Sequence, residues 1–62
     1  MIIYVSWHEY NILRNNLIFA DKEDRKKICM ERLGVEINFV IFPRNCIYLV
    51  CEGGDVKIFP RW

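Results

Sequence analysis

The stretch DKEDRKKICMERLGVEINFVIF, residues 21–42, changes its hydrophobic period at its midpoint. Up to Leu33 it reads as helix. Asp21 is a good N-cap residue, since its short carboxylate can accept a first-turn N–H. Glu23 and Asp24 fall early, while Arg25, Lys26, Lys27 and Arg32 follow, in the order that complements the helix dipole. Glu23 and Lys27 add an i, i+4 pair in the favourable sense. Gly34 stands where a C′ glycine closes a helix. The predicted helix is Asp21–Leu33, with a thin apolar stripe of Ile28, Cys29 and Leu33, joined by Met30. From Val35 the period becomes two. That predicts a strand over Val35–Phe42, with Val35, Ile37, Phe39 and Ile41 on one face.

Working outward, Pro43-Arg44-Asn45 is turn chemistry. Cys46–Cys51 reads as the next strand. Gly53-Gly54 permits a tight hairpin, and Asp55–Phe59 forms the last strand. Toward the N-terminus, Ile2–Val5 is a short apolar run expected as a central strand. Ser6 and Glu9 have capping-box spacing, the serine accepting from the backbone and the glutamate reaching back. They predict a short helix from Trp7 to about Arg14, with Tyr10, Leu13 and Leu17 as a partial stripe. A competing reading pairs Tyr10–Leu13 with Leu17–Ala20 as two strands around Arg14-Asn15-Asn16. The expected fold is α+β: a single small two-layer domain over residues 1–62, order β-α-α-β-β-β. Its C-terminal strands form an antiparallel three-stranded meander packed against the Asp21–Leu33 helix. Val40, Phe42, Tyr48 and Val50 make the second sheet face apolar, so a partner or a second copy is expected to cover it.

Ile-Phe-Pro-Arg occurs twice, at residues 41–44 and 58–61. Proline donates nothing to a sheet ladder and tends to end a strand. In a meander the two outer strands run the same way, so both Pro-Arg ends emerge on one rim, about 10 Å apart. Arg44, Arg61 and Trp62 then gather there, with Phe42, Tyr48 and Trp7 as further candidate contacts. Arginine offers a rigid fork for carboxylates or phosphates, and tryptophan is a common interface anchor.

Composition narrows the classes. Apolar residues make up 53% of the chain and aromatics 15%, too many for a disordered segment. Nine basic residues against eight acidic ones leave a formal charge of +1, so no global attraction to polyanions exists. No apolar run reaches membrane-spanning length, and Met1–Val5 lacks the basic and long apolar regions of a signal peptide. Cys29, Cys46 and Cys51 lack a CxxC pair and sit in apolar contexts, as reduced buried thiols of a cytoplasmic protein do (host cytoplasm if the source is viral). No metal site or cofactor is expected. The basic run Arg25-Lys26-Lys27 shares its helix with acids and reads as a solvated face.

Trp7-His8-Glu9 places a titratable imidazole beside a carboxylate. Helix initiation accounts for Ser6 and Glu9, and no nucleophile, zinc or phosphate-loop motif accompanies them. No catalytic residue is assigned. The element order is similar to that of the small ribonuclease toxins of bacterial toxin–antitoxin pairs. The size and the Met1 start also look like those of the small inhibitors that phages direct against host enzymes or defence systems. The leading expectation is a non-enzymatic protein-binding module, an inhibitor or adaptor of a larger protein and a homodimer. The alternative is a nucleic-acid or nucleotide binder using Arg14, Arg44, Arg61 and the rings of Trp7 and Trp62. A ribonuclease-like enzyme using His8 is the third.

Overall fold

The computed structural model describes residues 1–61. Strand β1 (Ile2–Ser6) leads into helices α1 (Trp7–Phe19) and α2 (Lys22–Leu33), followed by β2 (Ile37–Ile41), β3 (Ile47–Cys51) and β4 (Val56–Arg61). The class is α+β in the order β-α-α-β-β-β. The sheet order is β1-β4-β3-β2. β2, β3 and β4 form the antiparallel meander, and β1 joins it parallel to β4. β1 is therefore an edge strand, not the central strand its apolar run implied. Both its faces are apolar because the outer face of the whole sheet is.

The second helix follows its local signals. Asp21 Oδ1 accepts from the Asp24 N–H at 2.8 Å. Gly34 takes φ 69°, where a side chain would be strained, and its N–H donates to Met30 O at 3.1 Å. The first helix is longer than expected, running past Arg14 to Phe19 and excluding the two-strand reading. Leu13 and Leu17, one turn apart, are both fully buried, which rewards continuing the helix. Half of the capping box forms: Ser6 Oγ accepts from the Glu9 N–H at 3.1 Å. The Glu9 carboxylate instead accepts from Arg32 Nη1 at 2.5 Å, tying the start of α1 to the end of α2.

No basic residue lies in the last turn of α1. Arg25, from α2, supplies the missing cap: its Nε donates to Leu17 O at 2.7 Å and its Nη2 to Ile18 O at 3.5 Å. Arg25 is a structural residue rather than part of a solvated basic face.

In β2 the period-two expectation fails. Ile37 and Val40 are buried, whereas Phe39 and Ile41 are exposed. The pairing with β3 slips between Ile37 and Phe39, so a bulge at Asn38 reverses the parity of the strand beyond it. Val40 and Phe42 thus belong to the helix side of the sheet, not to its outer face. β4 runs one turn of the pleat further than expected, through Pro60 to Arg61, and begins at Val56 rather than Asp55. Its pairing with β3 extends no further than Ile58, and only β1 accompanies Phe59–Arg61. A residue without an N–H is tolerated there. Between the layers lie Leu13, Leu17, Cys29, Ile47, Leu49 and Ile58, all fully buried. Each of these leucines and isoleucines removes enough apolar surface from water to contribute about 1.5–3 kcal/mol.

Candidate binding surface

Parallel pairing of β1 with β4, and the meander, send β1, β2 and β4 toward the same end of the sheet. At that end the chain enters α1, leaves β2 through Pro43-Arg44, and finishes β4 with Pro60-Arg61. An open groove of about 770 Å³ lies there, lined by Tyr4, Trp7, Tyr10, Asn11, Arg14, Arg44, Asn45, Phe59, Pro60 and Arg61. Of the residues singled out from sequence, Arg14, Arg44, Arg61 and Trp7 come together in it. Trp62 lies outside the described residues. Tyr48 and Phe42 stand elsewhere.

Among the described residues the lining combines three guanidinium groups with four aromatic rings and no carboxylate. Trp7 packs edge-on against Tyr10, centroids 5.9 Å apart. Tyr4 stacks on Phe59 at 5.8 Å, as their pairing across β1 and β4 requires. Arg14 is braced: its Nη1 donates to the Tyr10 hydroxyl at 3.2 Å and to Cys46 O at 3.4 Å. Arg44 and Arg61 have no hydrogen-bond or ion-pair partner among the described residues and are exposed. Phe42 is half-buried on the helix side, with Arg14 Cζ 5.0 Å and Arg25 Cζ 5.9 Å from its ring centroid. It anchors the two cations that brace α1 and takes no part in the groove.

A second surface is the outer sheet face. Ile2 and Tyr4 of β1, Phe59 of β4, Tyr48 and Val50 of β3, and Phe39 and Ile41 of β2 share it by pleat and register. Ile2, Tyr4 and Phe39 are 57%, 56% and 51% exposed. The charges on the face are Lys57 and Arg61 of β4. Lys57 Nζ lies 5.8 Å from the Tyr48 ring, and the Tyr48 hydroxyl donates to the Asp55 carboxylate. That hydrogen bond, held by the neutral phenol, raises the Tyr48 pKa.

His8 is exposed on the first turn of α1, and its neighbour Glu9 is engaged by Arg32. Cys29, Cys46 and Cys51 are free thiols. Burial, with Cys51 adding to it, pushes the Cys29 thiol up to about 11, so it packs as a small apolar group. Among the described residues no helix is long and apolar enough to cross a membrane.

Arg44 and Arg61 were legible from the repeated tetrapeptide. Tyr4, Tyr10, Asn11, Asn45 and Phe59 were missed. They reach the groove through the β1–β4 pairing and the course of α1, and no local sequence signal records that pairing. No protein-family model matches this chain, nor does any curated protein or solved structure.

Proposed function

We propose that this chain is a non-enzymatic binding module that docks a larger protein against its outer sheet face, as an inhibitor or adaptor of that protein. The observation that supports this is the apolar face spanning the strands of the sheet, interrupted by Lys57, on the side away from both helices. Exposed apolar area of this kind is costly in water and marks interaction surfaces in small proteins. Its central side chains are aromatic or β-branched, the composition of a desolvated interface core. Lys57, between Ile2 and Tyr48, and Arg61, at the end of β4, give the face positive charge. The partner surface is accordingly apolar, with acidic residues opposite these two. Without a partner, the same face supports weak self-association, giving a homodimer.

The test is capture from a native lysate by immobilised wild-type protein, compared with Phe39→Ser plus Ile41→Ser. Both positions are solvent-facing, so the variant keeps its fold. The wild type is expected to retain a defined protein that the variant loses. Sedimentation across micromolar concentrations should show self-association for the wild type and a monomer for the variant. A partner retained equally by both would refute the reading.

A further inference from the structure

We propose that the groove at the end of the sheet is a binding site for single-stranded nucleic acid. Its phosphates would be held by Arg44 and Arg61, with Arg14 as a third contact, and its bases stacked on Trp7 and Tyr4. Tyr4 and Arg61 belong both to this site and to the outer sheet face, but Phe39 and Ile41 lie outside the groove, and the proposal does not depend on their role.

Charge complementarity carries the argument. The chain as a whole is nearly neutral, at +1. Its acids lie on α2, at Glu9, and at Glu36, Glu52 and Asp55, none of which lines the groove. Three arginines do. The cationic field is thus concentrated at one place, where a polyanion would release counterions. Arg61 ends β4 and Arg44 lies in the turn that follows β2, two strands away at the same end of the sheet, which sets their backbones roughly 10 Å apart. Side-chain reach adapts that separation to the spacing of backbone phosphates.

The rings decide between classes of anion. An acidic peptide would pair with the arginines but gain little from Trp7 and Tyr4. A base gains from any aromatic face regardless of its identity. Trp7 is 43% and Tyr4 56% exposed, and each is oriented by a neighbouring ring rather than loose on the surface. Asn11 and Asn45 add amide donors and acceptors for base edges. Stacking of this kind needs unpaired bases, which excludes a closed duplex as the preferred ligand.

The experiment measures anisotropy of labelled oligo(U) and oligo(dT) on the whole protein, between about 50 and 200 mM salt. With about 0.7 ion released per phosphate contact on a single strand, three contacts give a log–log slope near −2. That is roughly a 20-fold loss of affinity over this range. Arg44→Gln plus Arg61→Gln should reduce the slope to about −0.7. Trp7→Phe should bind nearly as wild type, and Trp7→Ser should bind about 5- to 100-fold more weakly. A melting curve on each variant separates this loss from unfolding. Phe39→Ser plus Ile41→Ser should leave oligonucleotide affinity unchanged while abolishing protein capture, so the two sites fail independently. Lys26→Gln plus Lys27→Gln on α2 should change nothing. The proposal is overturned by salt-insensitive or undetectable binding. It is equally overturned if a duplex binds as tightly as the single strand, or if a polyglutamate peptide competes as well as the oligonucleotide. The last result would assign the groove to an acidic protein segment.

Discussion

At residues 41–44 the Ile-Phe-Pro-Arg tetrapeptide turns its isoleucine to solvent and its phenylalanine to the helices; at 58–61 the same four residues do the reverse. Ile41 is 40% exposed, and Ile58 is fully buried. Phe42 lies under the guanidinium groups of Arg14 and Arg25, whereas Phe59 stacks on Tyr4 across the outer face. Both Ile and Phe suit a half-buried pleat, so the tetrapeptide has no intrinsic preference for a face. Parity is set from outside it. Ile41 pairs with the outward Tyr48, and Ile58 pairs with the inward Ile47. The bulge at Asn38 fixes the first case and the Glu52–Asp55 hairpin fixes the second. One residue of slip inverts every side chain in a strand, and an apolar strand does not resist it. The inversion leaves apolar residues on both sheet faces, and the outer one is the surface we propose for docking.

Substituting the two isoleucines breaks the comparison most sharply. Ile58→Ala should cost about 2–5 kcal/mol, the range for a fully buried isoleucine. A domain of this size has only a few kcal/mol of stability in total, roughly 3–9. The Ile58 variant should therefore unfold at much lower urea than the wild type, whereas Ile41→Ala should lose less than about 1 kcal/mol. Equal losses would mean that the two copies share an orientation.

The next effect concerns pH. In the unfolded chain Cys29 loses its proton near its ordinary value of 9.0, but in the core it keeps it to about 11. Above pH 9.0 the unfolded state binds fewer protons than the folded state. Stability should thus be unaffected by this group below that pH and fall by about 2–3 kcal/mol as pH rises toward 11. The shifts of Tyr48 and Cys51 act in the same direction. Cys29→Ala should flatten part of the alkaline slope in melts recorded against pH. An unchanged slope would show that the thiol is accessible.

Arg25→Ala tests why Phe42 faces inward. It removes the cap on Leu17 O and one of the two cations over the Phe42 ring. A loss of about 1–2 kcal/mol is expected, as for a charged hydrogen bond, while Lys26→Ala should be silent. Smallest is Arg44→Gln plus Arg61→Gln, which should change stability by less than about 0.5 kcal/mol because both side chains are exposed and lack ion-pair partners among the described residues. A larger change would show that the rim arginines serve folding rather than binding.

Much of this architecture could be read from the residues. Asp21, the acid-to-base order and Gly34 marked α2, and the change of period marked the meander. The repeated Pro-Arg placed Arg44 and Arg61 at one end. What escaped was whatever depends on pairing rather than on local chemistry. Asn38 carries no signal of a bulge, because its neighbours Ile37, Phe39 and Val40 satisfy either parity. The run Ile2–Val5 is as apolar as a central strand, yet it is an edge, because the second apolar side belongs to the outer face. Pro60 sits inside a strand because β3 has already stopped pairing there. Arg25 looked solvated because its acceptors, the Leu17 and Ile18 carbonyls, belong to the preceding helix. Tyr4 and Phe59 became neighbours only through strand order.

The central claim is that the first copy's isoleucine, with Phe39 and Ile2, faces water on an uncovered apolar sheet. Methyl NMR of the dilute protein with a soluble gadolinium chelate measures this directly. The account predicts strong relaxation enhancement at the Ile2 and Ile41 methyls and little at Ile47 and Ile58, with enhancement at Ile41 declining as concentration rises and copies associate. Ile41 protected as fully as Ile58 at the lowest concentration would place it in the core and contradict the account.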